Sequence, residues 1–194
     1  MWVRRSAIRP VPRYARLPES SVHAIEVTFS AADARARQLA RASFERLTAQ
    51  QPALTEYLAH KLSDSLDDTA LALGHMLAVA VFVGFESFAG SALRSLSREA
   101  VAAADLALAA DVELRRSDPQ DALDSEDIVA IDQPALMAFV NEHIERTLEQ
   151  HALDVDVDDV DVVFRAILVE ILALSQAVAP PPGYAPARDE EPQA

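Results

Sequence analysis

The chain has 194 residues, no cysteine, and 31 acidic against 17 basic side chains, which gives a net charge of −14 at pH 7. The missing cysteines exclude disulfides, thiolate catalysis and thiolate metal sites, and the acidic excess opposes binding to a nucleic-acid phosphate backbone. Half of the residues (51%) are hydrophobic, while 6% are aromatic and only four are glycine. This balance predicts an all-α fold, and the length suits a single domain.

The first 29 residues are predicted to form an irregular basic segment. Residues 1–60 carry nine arginines against five acidic residues, whereas residues 61–194 carry eight basic and 26 acidic residues. Three prolines interrupt any helical pattern near the start, and the run from His23 to Phe29 is β-like. The arginines are free to bind an anionic partner or to dock on the acidic part of the chain. The sequence leaves open whether residues 1–18 belong to the native protein.

A single helical domain is predicted over residues 30–179. Its first helix starts at Ser30 and runs to about Gln50, and Pro52 then opens the second helix at a position where its missing N–H is not needed. An acidic turn follows, and it places negative charge at the N-terminus of the next helix. A fourth helix covers about Ser91 to Leu114.

The central element of this domain is the apolar run from Ala70 to Phe85, which contains His75 as its one ionisable side chain. Sixteen residues that are apolar on every side indicate a helix surrounded by other helices. A bilayer-spanning helix needs about 20 apolar residues, so we expect a buried core helix and no constitutive membrane span.

An acidic linker, residues 117–133, is predicted to join the halves 30–116 and 134–179. Pro134 opens a fifth helix, and a sixth is expected from about Asp158 to Ala179. The Pro-rich acidic tail, residues 180–194, has no means of burying a core and is expected to be disordered.

The most specific internal signal is a repeat at an offset of 82 residues. The segment QPALTEYLAHKL, which starts at Gln51, aligns with QPALMAFVNEHI, which starts at Gln133. We therefore predict about six helices in which two related helical hairpins, each a Gln-Pro helix, an acidic turn and an apolar helix, surround the buried central helix. Similar helix starts in an Ala- and Leu-rich chain are the alternative.

Motifs for common catalytic chemistry are missing. The chain has no G-x-S-x-G, no phosphate-binding glycine loop, no dinucleotide fingerprint, and no Glu-x-x-His or His-Glu-x-x-His metal pattern. The aspartates from Asp154 onward lack the glycine and glutamate of an EF-hand loop. We expect no metal and no cofactor.

The sequence therefore favours a noncatalytic protein–protein interaction or scaffold module, with a protein partner or a second copy of the chain. Its expected surface is the outer face of the two Gln-Pro helices, with Glu56 and Lys61 in one and Glu142 and Arg146 in the other. The predominance of arginine over a single lysine is typical of a GC-rich bacterial genome, and a cytoplasmic location is expected.

Two other functions remain open at this stage. The first is an enzyme or small-ligand binder with a pocket between the halves, lined by His75, Glu86, Tyr57 and His60; a buried histidine needs a hydrogen-bond partner from another helix. The second is conditional membrane insertion of the apolar helix, in the manner of helical bundles that expose a buried hairpin.

Overall fold

The computed structural model describes residues 6–29, 34–63, 65–117, 125–152 and 154–184. The expectation of disorder for the end of the tail falls outside these residues. The described residues are all-helical apart from turns, extended connections and one isolated bridge, which confirms the all-α prediction. They contain eight α-helices, namely α1 (Glu19–Phe29), α2 (Ala34–Gln50), α3 (Pro52–Lys61), α4 (Asp68–Ala89), α5 (Arg98–Ser117), α6 (Ser125–Asp132), α7 (Pro134–Gln150) and α8 (Val157–Ala177).

The expected number of about six helices was wrong because two short helices lie where irregular chain was predicted. Helix α1 covers the β-like run, in which Val22, Ile25 and Phe29 are also spaced for one face of a helix. Val22 and Ile25 are buried against the rest of the fold. Helix α6 lies inside the predicted linker and buries Ile128 and Val129. In both places packing selected a helix that local sequence did not require.

Helices α4 and α8 form the centre of the fold and run parallel to each other. At their N-termini, the backbone N–H of Asp67 donates to Oδ2 of Asp159 (2.7 Å), and that of Asp156 donates to Oδ2 of Asp67 (2.9 Å). Just beyond their C-termini, Arg94 and Ala177 join the two chains by a backbone hydrogen bond of 3.1 Å. Both ends of the pair are therefore fixed in the same register.

Asp67 is the residue that ties the two N-termini together. Its Oδ1 caps α4 by accepting from the N–H groups of Thr69 and Ala70, both at 2.8 Å. The hydrogen bonds from the backbone N–H groups of Ala70, Asp156 and Thr69 hold the pKa of this carboxyl below its ordinary value. One ionised side chain thus caps a helix and joins it to its neighbour.

Helix α4 is the one described segment with the length and composition of a membrane span, together with the three residues that follow it, from Asp68 to Ala92. Of its most apolar window, 56% lies buried inside the fold, where helices α1, α2, α7 and α8 contact α4. A core helix and a spanning helix share this length and composition.

Two glutamines, Gln51 and Gln133, immediately precede α3 and α7 and adopt nearly the same backbone angles, φ −129° and ψ 58° against φ −132° and ψ 59°. The side chain of Gln51 binds the O of Arg94 (3.0 Å) and the N–H of Leu96 (2.9 Å). Each glutamine therefore holds an extended segment from the other half of the chain, as the equivalent bonds of Gln133 show.

Gln133 is fully buried and makes the more extensive set of hydrogen bonds. Its Nε2 donates to the O of Ala15 (2.8 Å) and to Oγ of Ser175 (3.0 Å), and its Oε1 accepts from the N–H of Leu17 (2.9 Å). This side chain satisfies three buried polar groups that have no other route to solvent.

The single offset of 82 residues does not extend beyond the Gln-Pro helices. Helix α3 has 10 residues and α7 has 17, so the helix that follows starts seven residues later in the second half. The caps Asp67 and Asp156 consequently lie 89 residues apart. The pairings expected farther along at the offset of 82, such as Val81 with Val163, are two helical turns out of register.

The basic N-terminal segment docks on two buried aspartates of the acidic half. Asp111 accepts from Oγ of Ser6 (2.7 Å), while Asp132 accepts from the N–H of Val11 (2.9 Å) and from Nη2 of Arg16 (2.7 Å). Ile8, Val11, Ala15 and Leu17 enter the hydrophobic core. This segment is therefore part of the folded body, as far as it is described.

We expect Gln133→Leu to lower the free energy of unfolding by about 3 kcal/mol or more, because three buried partners lose their hydrogen bonds and each loss costs about 1–3 kcal/mol. Urea denaturation followed by circular dichroism measures the change. Gln38→Leu on the exposed face of α2 is the control, with an expected change within about 0.5 kcal/mol. A loss below about 1 kcal/mol for the Gln133 variant would show that the side chain is not a clamp.

Candidate functional site

His75 is exposed, so the expectation that it sits inside the apolar helix was wrong. It lies on the same edge of α4 as Asp68 and Ala72, at helical spacings of seven and three residues, and both of these are exposed as well. The helix is covered by neighbours on its other sides, and this strip near its N-terminus faces solvent. Among the described residues, His75 has no hydrogen-bond or ion-pair partner.

Glu86 lies about 16 Å farther along α4 and has a different environment. Its carboxylate accepts from Nε and Nη2 of Arg46 (2.9 and 3.0 Å) and from Nε2 of Gln50 (2.9 Å), so it fastens α2 to α4. The structure does not bring Glu86 and His75 together, and Tyr57 and His60 lie elsewhere. The proposed pocket around His75 is thus not assembled from these four residues.

Tyr57 and His60 instead line a groove between α3 and α5, together with Glu56 and Lys61 of the predicted partner surface. This first groove has a volume of about 450 Å³. Its remaining walls are formed by Ala53, Arg98, Val101, Ala102 and Asp105.

Ion pairs join the two walls of the first groove. Glu56 accepts two hydrogen bonds from Arg98, from Nε at 2.8 Å and from Nη2 at 3.0 Å. Nζ of Lys61 lies 3.6 Å from Oδ2 of Asp105 and 5.4 Å from the centre of the Tyr57 ring. The charges on one wall are therefore balanced by those on the other.

The hydroxyl of Tyr57 donates to Oδ1 of Asp105 (3.0 Å). Burial, this hydrogen bond and the negative charge of Asp105 together raise the pKa of Tyr57 well above its ordinary value. A phenol that holds its proton so firmly is unsuited to act as a general base at neutral pH. The cluster fastens α3 to α5 and offers no activated nucleophile. No group of three or more His, Cys, Asp or Glu in the described ranges could hold a metal ion.

A second groove lies between α1 and α7, with a volume of about 580 Å³. It contains Glu142, which forms an ion pair with Arg146 one turn along the same helix. Its α1 wall carries Glu19 and Glu26, and Nδ1 of His23 lies 3.3 Å from Oε2 of Glu26. Both walls of this groove are therefore acidic.

The second groove is lined by positions that correspond to those of the first. On the Gln-Pro helices the offset is 82, and on the other wall it is 79, as between the clamped residues Leu17 and Leu96. The corresponding pairs are Ala53 and Ala135, Glu56 and Ala138, Tyr57 and Phe139, His60 and Glu142, Arg98 and Glu19, Val101 and Val22, Ala102 and His23, and Asp105 and Glu26.

Glu170, in the middle of α8, is a notable residue that sequence reasoning missed. It is fully buried, and neither carboxylate oxygen has a hydrogen-bond partner among the described residues. Burial raises its pKa well above the ordinary value. The signal was present, because Glu170 is the one ionisable residue in the stretch AILVEILAL that starts at Ala166.

The register of the central pair places Glu170 on the face of α8 turned toward α4. A Cβ at Gly74 would lie 3.2 Å from Cγ2 of Val163, and both residues follow their helix caps by seven positions. Two turns later, Val81 and Glu170 occupy the next corresponding positions. An acidic side chain thus stands where the matching helix carries an apolar one.

Comparison of the chain with protein-family models, with curated proteins and with solved structures finds no match.

We expect the stability of the protein to fall, relative to that of Glu170→Gln, as the pH rises. The unfolded chain ionises Glu170 near its ordinary pKa, whereas the folded chain keeps it protonated until the raised pKa is reached. Between these two values the difference grows by about 1.4 kcal/mol per pH unit. Near pH 4 it reaches its smallest value.

Urea denaturation of both proteins at pH 4, 6 and 8 tests this expectation. The comparison of two proteins that differ at one position cancels the titration of the other carboxylates. A difference in unfolding free energy that stays constant over this range would mean that Glu170 is ionised in the folded state.

Proposed function

We propose that this chain is a noncatalytic protein-interaction module, built as a duplicated four-helix unit, which binds a basic segment of a partner in the second groove. Each unit would consist of a clamped extended segment, two helices, a Gln-Pro helix and a long apolar helix. Helices α1 to α4 form the first unit and α5 to α8 form the second.

Three observations support the duplication. The Gln51 and Gln133 clamps have matching backbone angles and matching targets. The long apolar helices start at aspartate caps, Asp67 and Asp156. The helix contacts also correspond, since α1 meets α4 and α7 in the same way that α5 meets α8 and α3. Differences in helix length explain why one sequence offset does not align the whole chain.

The observation that carries the binding proposal is the contrast between the two grooves. Arg98, which supplies the cation that pairs with Glu56 in the first groove, is replaced by Glu19 at the corresponding position of the second. The first groove is neutralised by its own ion pairs, while Glu19, Glu26 and Glu142 leave the second acidic on both walls. Of the two predicted partner surfaces, the one with Glu142 and Arg146 is therefore the better candidate.

Electrostatics favour a basic partner. The net charge of −14 attracts a cationic segment over a long range, and the acidic groove would fix where it docks. A second copy of the chain would supply such a segment through α2, which exposes Arg35, Arg37 and Arg41. Another protein with a basic helix or peptide would serve equally.

Affinity capture with the tagged full-length chain tests the proposal. We expect the wild-type protein to retain a partner at low salt and to retain less of it at physiological salt, because exposed charges are screened. The double variant Glu19→Lys, Glu142→Lys should lose at least about 90% of the capture, which corresponds to about tenfold weaker binding.

The control is Glu45→Lys, Glu113→Lys, which makes the same change of charge on α2 and α5, outside the second groove. Light scattering of the purified protein separates self-association from capture of another chain. Equal capture by both double variants would contradict the assignment of the groove. A strictly monomeric protein that retains nothing at either salt would contradict the interaction module itself.

A further inference from the structure

A cavity between α5 and α8 is separate from both grooves. Its volume is about 260 Å³, and residues of the N-terminal segment close one side of it. Its walls are mostly methyl and methylene groups, supplied by Ile8, Leu96, Ala100, Ala103, Ala104, Ala107, Leu172 and Ala173, with Arg9 and Gln176 as the two polar residues.

The corresponding place between α1 and α4 is filled. A Cβ added at Gly84 would lie 2.7 Å from Cδ1 of Ile25 and 3.0 Å from Cδ2 of Leu17, so these side chains already occupy the space against the helix. Ile25 is 1% exposed. The interface between α1 and α4 is therefore closed at this level.

The two places can be compared position by position. Leu17 and Leu96 each donate their N–H to a clamping glutamine, and eight residues later stand Ile25 and Ala104. Gly84 and Ala173 each follow their helix caps by 17 positions. An isoleucine that fills the first interface is thus an alanine in the second, and the missing atoms leave the cavity. Native interiors rarely leave such a space unfilled.

The polar groups at this cavity define the other end of a ligand. Arg9 is exposed and makes no ion pair with another described residue. Gln176 donates its Nε2 to the O of Pro10 (3.1 Å), which leaves its Oε1 as an acceptor. An arginine at the edge of an apolar cavity suits a carboxylate, since a guanidinium binds both carboxylate oxygens at once.

We propose that the cavity between α5 and α8 binds a medium-chain aliphatic carboxylate, with the alkyl chain against the alanines of α5 and the carboxylate at Arg9. At about 30 Å³ per water-sized group, a volume of 260 Å³ holds about eight or nine such groups, the size of an octanoate chain. This site is independent of the protein-interaction function proposed for the second groove.

Titration calorimetry of the full-length protein with octanoate tests the site, with octanol as the uncharged ligand of the same length. Ala104→Ile restores the side chain found at the corresponding position and should weaken octanoate binding by at least about tenfold while raising the melting temperature of the unliganded protein. Ala109→Ile makes the same substitution on the exposed face of α5 and should leave binding unchanged.

Arg9→Gln provides a second variant at the surface, where folding is not at risk. It should weaken octanoate binding about tenfold and leave octanol binding unchanged. Octanoate binding that survives Ala104→Ile, or an absence of binding at millimolar octanoate, would overturn the site. Equal binding of octanol and octanoate to the wild-type protein would overturn the carboxylate assignment.

Discussion

The parallel pairing of α4 and α8 is the constraint on which the other helices depend. Asp67 fixes the N-termini of both helices at one level through backbone hydrogen bonds, and the chain segments beyond the C-termini are joined in the same way. With both ends fixed, corresponding residues such as Gly74 and Val163 face each other. Helices α1, α2 and α7 then have α4 to pack against, and α3, α5 and α6 have α8.

The glutamine clamps make the two halves of the chain interdependent. Gln51 belongs to the first half and binds the segment that leads into α5, while Gln133 belongs to the second half and binds the segment that leads into α1. Each groove consequently has one wall from each half. Removing a buried hydrogen-bonding partner costs far more than an exposed contact contributes, so these two amides link the halves into one folding unit.

Corresponding positions in the two halves have diverged in ways that give them different physical properties. One groove is neutralised by ion pairs and the other is acidic on both walls. One helix interface is filled by Ile25, whereas the other holds a cavity beside Ala104. In the central pair, Val81 corresponds to Glu170, whose buried carboxyl has no hydrogen-bond partner among the described residues. A shared backbone arrangement thus supports different surfaces and interiors.

The sequence by itself determined the all-helical class, the two Gln-Pro helix starts and the long apolar helices, because proline placement, caps and continuous apolar runs act locally. The bounds expected for α8 differ from the observed ones by one or two residues. About half of the candidate site was also identified, since Glu56, Tyr57, His60 and Lys61 share one groove.

Only the tertiary structure decided the rest. Helices α1 and α6 are short, and their formation depends on the surfaces they cover. The exposure of His75 depends on which side of α4 its neighbours leave open, and the isolation of Glu170 depends on the helix that faces it. The contrast between the grooves depends on α1 and α5, which are far from the Gln-Pro helices in sequence. A local pattern cannot specify these features because each is set by the partner that packs against it.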